Sequence, residues 1–180
     1  ILLKNLVILN KKGIVHRDIH ANNIFVYKDQ QKVTYKLSDF GIAVIDGTST
    51  KDYETCDAYF LHLAPEIYYD NEYTFCNKYD MWSIAIVIVE IISCGYYQQQ
   101  ELKIYMKSII EKFIEATQKE TVQIYINNVV DEIIGKSIIS EYKPLLLDML
   151  KLKQHERPND INTYYIQAKI IYINEDNNLE

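Results

Sequence analysis

Apolar residues at positions 2, 3, 6, 7 and 9 recur with the spacing of one helix face, so the chain is expected to open on a helix. Lys11, Lys12 and Gly13 follow; cations in a last turn before a glycine are a stop signal. Residues 24–27 and 33–37 have the β-branched and aromatic composition of strands, and the polar residues 28–32 between them predict a hairpin. Residues 45–57, rich in Asp, Gly, Ser and Thr, read as an exposed loop. Residues 84–92 are ambiguous. Their β-branched run (Ile84, Ile86, Val87, Ile88, Val89, Ile91, Ile92) suits a buried strand, but its length and lack of turn residues equally allow a helix buried on all sides. Residues 101–115 fit an amphipathic helix, and further helical patterns cover 122–134, 142–153 and 159–173, the last announced by Pro158. Residues 174–180 form a polar, acidic tail. The pattern predicts a mainly α fold with a small β-hairpin.

Composition narrows the function classes. A chain of 180 residues suggests one domain, and with 48% apolar residues it is not disordered. A net charge of -6 argues against a nucleic-acid partner, which calls for a basic patch. Cys56, Cys76 and Cys94 are odd in number and widely spaced, which excludes a closed disulfide framework and a cysteine zinc site. They point to a reducing, intracellular (cytoplasmic) compartment. The apolar stretch at 81–95 is broken by Ser83, Glu90 and Ser93, so no membrane span is expected, since one needs about 20 apolar residues. The sequence opens on Ile1 without a leader pattern, and is expected to be a piece of a longer protein.

Chemistry concentrates in two short segments. His16, Arg17 and Asp18 precede Asn23 on a stretch running directly into the first strand, and Asp39, Phe40 and Gly41 follow the second. A closed hairpin would bring Asp18, Asn23 and Asp39 near one another. Two carboxylates and an amide are hard oxygen donors, suited to magnesium rather than zinc. His16 and His20 have the spacing of a helical metal pair, but Arg17 stands where a zinc protease needs Glu.

These residues resemble the protein kinase family. His16-Arg17-Asp18 with Asn23 looks like the catalytic loop, and Asp39-Phe40-Gly41 like the metal-binding turn. Ala64-Pro65-Glu66 resembles the end of the activation segment. Asp80 to Ser83 resembles the start of the buried central helix, and His155-Glu156-Arg157-Pro158 the motif before the last helix. The resemblance implies a kinase-like α+β fold, its C-terminal lobe, over residues 1–173, using ATP and Mg²⁺ on a protein substrate. Asp18 would accept or orient the proton of the attacking hydroxyl. Asn23 and Asp39 would hold the metal, and Phe25 would lie beneath the adenine. Arg17 would pair with a phosphorylated side chain among Thr48, Ser49, Thr50, Tyr53 and Thr55. Glu66 would form a buried ion pair with Arg157, and Asp80 would anchor the catalytic loop's backbone. Residues 84–92 would then be helical.

The sequence departs from the family pattern in three respects. The glycine-rich loop, strand lysine and partner glutamate of the small lobe have no counterpart here, so the lobe is expected elsewhere in a parent chain. His20 stands where Ser/Thr kinases place a lysine. Residues 58–63 lack the Gly-Thr of Ser/Thr kinases and the Pro and Trp of tyrosine kinases, leaving the acceptor hydroxyl open. An active kinase, with the fragment alone inactive, and a pseudokinase serving as a binding or scaffolding module are the two functions these features allow.

Overall fold

The computed structural model describes residues 2–29, 33–48, 62–69, 74–93, 119–134 and 140–166. Helix α1 (Leu2–Lys11) buries Leu2, Leu3, Leu6, Val7 and Leu9. It ends where Gly13 takes φ of 61°, a left-handed conformation glycine adopts without steric cost, while the amides of Lys12 and Gly13 bond back to Leu9 and Asn10.

Two antiparallel ribbons follow. Strands β2 (Ile24–Lys28) and β3 (Val33–Leu37) pair in the register Ile24 with Leu37 and Val26 with Tyr35. Among the described residues of this hairpin, Ile24, Tyr35 and Leu37 touch the core, and the Asn5 side-chain amide donates to the Tyr35 carbonyl. Its outer residues Phe25, Val26 and Tyr27 are exposed, Phe25 at 59%. The second ribbon lies where a loop was expected to begin. Strand β1 (Ile14–Val15) pairs with β4 (Val44–Ile45), and two-residue strands carry too little periodicity to show in sequence. The ribbon is extended by Asp46 bonding the Gly13 carbonyl and Gly47 bonding that of Phe75.

The ambiguous apolar run is a helix. After the short α2 (Glu66–Tyr69), helix α3 (Asn77–Ser93) runs through the centre of the core with Met81, Ile84, Ala85, Ile86 and Val87 buried. α1, β1, α4 (Lys119–Ile134) and α5 (Lys143–Met149) all pack against it. A helix covered on several sides has no polar face, so it shows no amphipathic period.

The helix expected at 142–153 stops earlier, at Met149. Beyond it the backbone is claimed by side chains: Gln123 accepts the Leu152 amide and donates to the Leu150 carbonyl, and Arg157 takes the carbonyls of Lys151 and Leu152. The last helix is described at residues 161–166. The helix expected at 101–115, residues 49–57 of the expected loop, Cys56, Cys94 and the tail lie outside the described residues. Among the described residues no helix is long and apolar enough to cross a membrane.

The burial pattern of α3 sets an expectation. Ile84→Ala should lower unfolding free energy by about 2–5 kcal/mol, the usual effect of a core truncation. Ile91→Ala, at a position 56% exposed, should leave it nearly unchanged. Urea unfolding of the two variants checks this; equal losses would contradict the placement of the helix.

Candidate active site

The segment after β1 is held from below by a carboxylate. Asp80, in the first turn of α3, accepts the backbone amide of His16 at 2.6 Å and that of Arg17 at 2.9 Å, one on each oxygen. Arg17 sits at φ 71°, uncommon for a residue with a Cβ, so the local backbone needs outside support. Its guanidinium supplies more, donating to the Ile42 carbonyl at 3.0 Å and lying 4.2 Å over the Phe75 ring. Of the loop hydroxyls considered as its partners, only Thr48 is described; it donates to the Ile45 carbonyl.

His16 is buried, and its ring joins the two chemical segments. Its Nε2 is 2.9 Å from the Ser38 carbonyl and its Nδ1 accepts the Asp18 amide at 3.3 Å. An acceptor at one nitrogen and a donor at the other define the neutral Nε2–H tautomer. Burial lowers its pKa, consistent with that state. The ring also stacks at a tilt on Phe40, 4.5 Å between centroids.

The 3₁₀ turn Ala21–Asn23 delivers Asn23 beside Asp18. Asn23 Nδ2 donates to both the carbonyl and Oδ2 of Asp18, each at 2.9 Å, which leaves Asn23 Oδ1 to serve as an acceptor. The Asn23 carbonyl accepts the amide and hydroxyl of Ser38, the residue before Asp39. Asp39 itself is exposed, at φ 61°, with Oδ1 accepting the Gly41 amide at 3.2 Å. A Cβ at Gly41 would stand 3.1 Å from that oxygen, so the tight turn favours glycine. His20 is buried with Nε2 3.4 Å from Asp18 Oδ1, and burial lowers its pKa while Asp18 opposes.

Glu66 and Arg157 form a fully buried bidentate pair at 2.9 and 2.6 Å. The remaining guanidinium donors reach the carbonyls of Lys151, Lys78 and Leu152, so all five N–H groups are satisfied. Gln154 adds a bond to Glu66. This pair ties α2 to the segment after α5 and stands apart from the Asp18 cluster.

The family model described as "Protein kinase domain" matches residues 2–168. The chain belongs to the protein kinase family. It is 39% identical over 83 residues to the serine/threonine-protein kinase Nek5 of Homo sapiens, covering 46% of this chain and 11% of that protein. It is 37% identical over 92 residues to the serine/threonine-protein kinase atg1 of Dictyostelium discoideum, covering 51% of this chain and 13% of that one. With Nek1 of Mus musculus it shares 36% over 109 residues, 61% of this chain and 8% of the relative. The match thus spans about a tenth of each relative's length.

Protein kinases use ATP with divalent metal, and the donors here fit such a group. Asn23 Oδ1 and the Asp39 carboxylate are hard oxygens, the kind magnesium takes in ones and twos alongside substrate phosphates. Several contributors had no signal in the sequence. Ile42 and Phe75 act through a backbone carbonyl and a ring face, and His62 with Glu90 form a 2.9 Å contact. Only the fold brings such residues together.

Two expectations follow. Glu66→Ala strands a buried guanidinium and should lower stability by about 3–5 kcal/mol, whereas Glu66→Ala with Arg157→Leu should lose less than the two single losses added. Chemical denaturation of the three variants decides it. Burial pushes the Asp80 carboxyl up to about 7 against the pull of the two amides and Arg17, with Asp46 adding to the rise. A folded-state pKa above the unfolded value means that the folded chain binds the extra proton between pH ~4 and ~7. Its share of stability is therefore fully present at low pH and is lost as pH rises through that window. Asp80→Asn should flatten this slope in urea titrations, while lowering stability at every pH because its NH₂ must face an amide donor.

Proposed function

We propose that this chain is the large, substrate-side lobe of an ATP-dependent kinase that phosphorylates serine or threonine hydroxyls of proteins. One observation carries the reading: Asp18 is hydrogen-bonded to Asn23, whose own carbonyl is bonded to the neighbour of Asp39. The Asp18 and Asn23 side chains thereby belong to one hydrogen-bonded unit that reaches the backbone beside Asp39. In the proposed reaction Asp18 orients the acceptor hydroxyl and takes its proton. Asn23 and Asp39 hold magnesium, which with ATP supplies the phosphoryl group and neutralises its charge. Phe25, on the exposed hairpin, offers an apolar surface for the adenine.

The names of the relatives, serine/threonine-protein kinases, support the acceptor class. The exposed apolar side chains Phe25, Val26, Tyr27 and Val33 support the large-lobe assignment, because a small lobe packed there would cover them. Since positioning and charge neutralisation provide nearly all the acceleration in this chemistry, these 180 residues alone are expected to be inactive. His20 at the usual lysine position favours a second reading, a pseudokinase that binds partners without transfer.

Phosphotransfer by the full-length protein tests the proposal. Asp18→Asn should lower kcat by about 10²–10⁴-fold, the usual worth of a general base, with KM for ATP little changed. Equal rates would remove Asp18 from the chemistry. Thermal stabilisation by magnesium and ATP without any transfer would favour the pseudokinase.

A further inference from the structure

His20 lies at the entry to the turn Ala21–Asn23 with an extended backbone, φ -152° and ψ 170°. It is only 4% exposed. Its Nε2 stands 3.4 Å from Asp18 Oδ1, while Asn23 Nδ2 donates to the other carboxylate oxygen at 2.9 Å. Behind it lies the buried imidazole of His62, ring centroids 6.1 Å apart and planes inclined by 55°. His62 Nε2 is 2.9 Å from Glu90 Oε2, and the His62 carbonyl accepts the Ser83 hydroxyl at 2.6 Å. Ser83 and Glu90 both belong to α3.

We propose that His20 is a positioning residue for the Asp18 carboxylate, braced from behind by His62 and Glu90, and that it does not contact the phosphoryl group. The inference rests on the phosphotransfer reading above. A lysine at this position has a long flexible stem that can reach outward, whereas a buried imidazole is short and rigid, and its Nε2 stands beside the Asp18 carboxylate itself. Asp18 is thus approached at one oxygen by Asn23 and at the other by His20. A carboxylate offers about four lone-pair sites, so acceptors remain for a substrate hydroxyl. Restricting the carboxylate to one rotamer acts on the geometry of attack rather than on binding of the nucleotide. The bracing fixes the imidazole in turn: α3 holds His62 by its carbonyl and by its ring.

The test compares the full-length protein carrying His20→Leu, His20→Gln or Glu90→Gln with wild type. His20→Leu should lower kcat by about tenfold or more while KM for ATP stays within about twofold, the split expected of a lost orienting contact. His20→Gln, which keeps a donor near the Nε2 position, should recover most of the rate. A raised KM for ATP with unchanged kcat would overturn the proposal in favour of a phosphate contact, and equal losses in the Leu and Gln variants would overturn it as well. A second readout needs no turnover: the ¹⁵N resonance of His20 Nε2 should move in Asp18→Asn and again in Glu90→Gln. An unmoved resonance overturns the positioning role whatever the activity. If the resonance moves but wild type transfers no phosphate, the positioning role stands and the kinase reading falls instead.

Discussion

Asp80 grips two consecutive backbone amides, those of His16 and Arg17, from sixty-odd residues away in sequence, and the rest of the candidate site is built on that grip. A backbone at φ 71° does not hold itself for a residue such as arginine, and strain of this kind persists only where surroundings over-determine it. Here a buried carboxylate fixes the amides, and the Ile42 carbonyl and the Phe75 ring fix the side chain. The carboxylate is costly to bury, which shows in its raised pKa, and it is tolerable because each oxygen has a donor. Its position in the first turn of α3 adds the favourable end of the helix dipole.

Helix α3 is accordingly more than the spine of the core. Its first turn holds the loop, Ser83 one turn on holds the His62 carbonyl, and Glu90 near its end holds the His62 ring. Arg157 places its guanidinium 5.2 Å over the ring of Trp82 on the same helix. A helix surrounded by α1, α4 and α5 is rigid for the same reason that it is apolar, and side chains projecting from it inherit that rigidity. A charged group inside such a core is best stabilised when all its donors are satisfied. The five satisfied donors of Arg157 are such a set.

Two parts of the fold contrast physically. In one a buried ion pair closes the core; in the other, a hairpin leaves the aromatic side chains Phe25 and Tyr27 in solvent. Isolated two-stranded hairpins are marginal in water, so the base contacts through Ile24, Tyr35 and Leu37 matter for holding Asn23 and Asp39, which flank the two strands. The chemistry thus hangs at the seam between a rigid core and an exposed ribbon.

By itself, the sequence determined the first helix and its glycine stop, the hairpin, and the short segments around Asp18 and Asp39, because these are local: periodicity, turn chemistry and neighbouring residue types are all within a few positions. It also identified the family through several short motifs in order. The sequence could not decide whether residues 84–92 were strand or helix, since a run that is apolar on nearly every face shows no period that would tell them apart. Tertiary structure decided that, together with the β1–β4 ribbon, the early end of α5 where Gln123 and Arg157 capture the backbone, and the contact of His62 with Glu90. Each of these depends on groups distant in the chain meeting in space, and distance in sequence leaves no local mark.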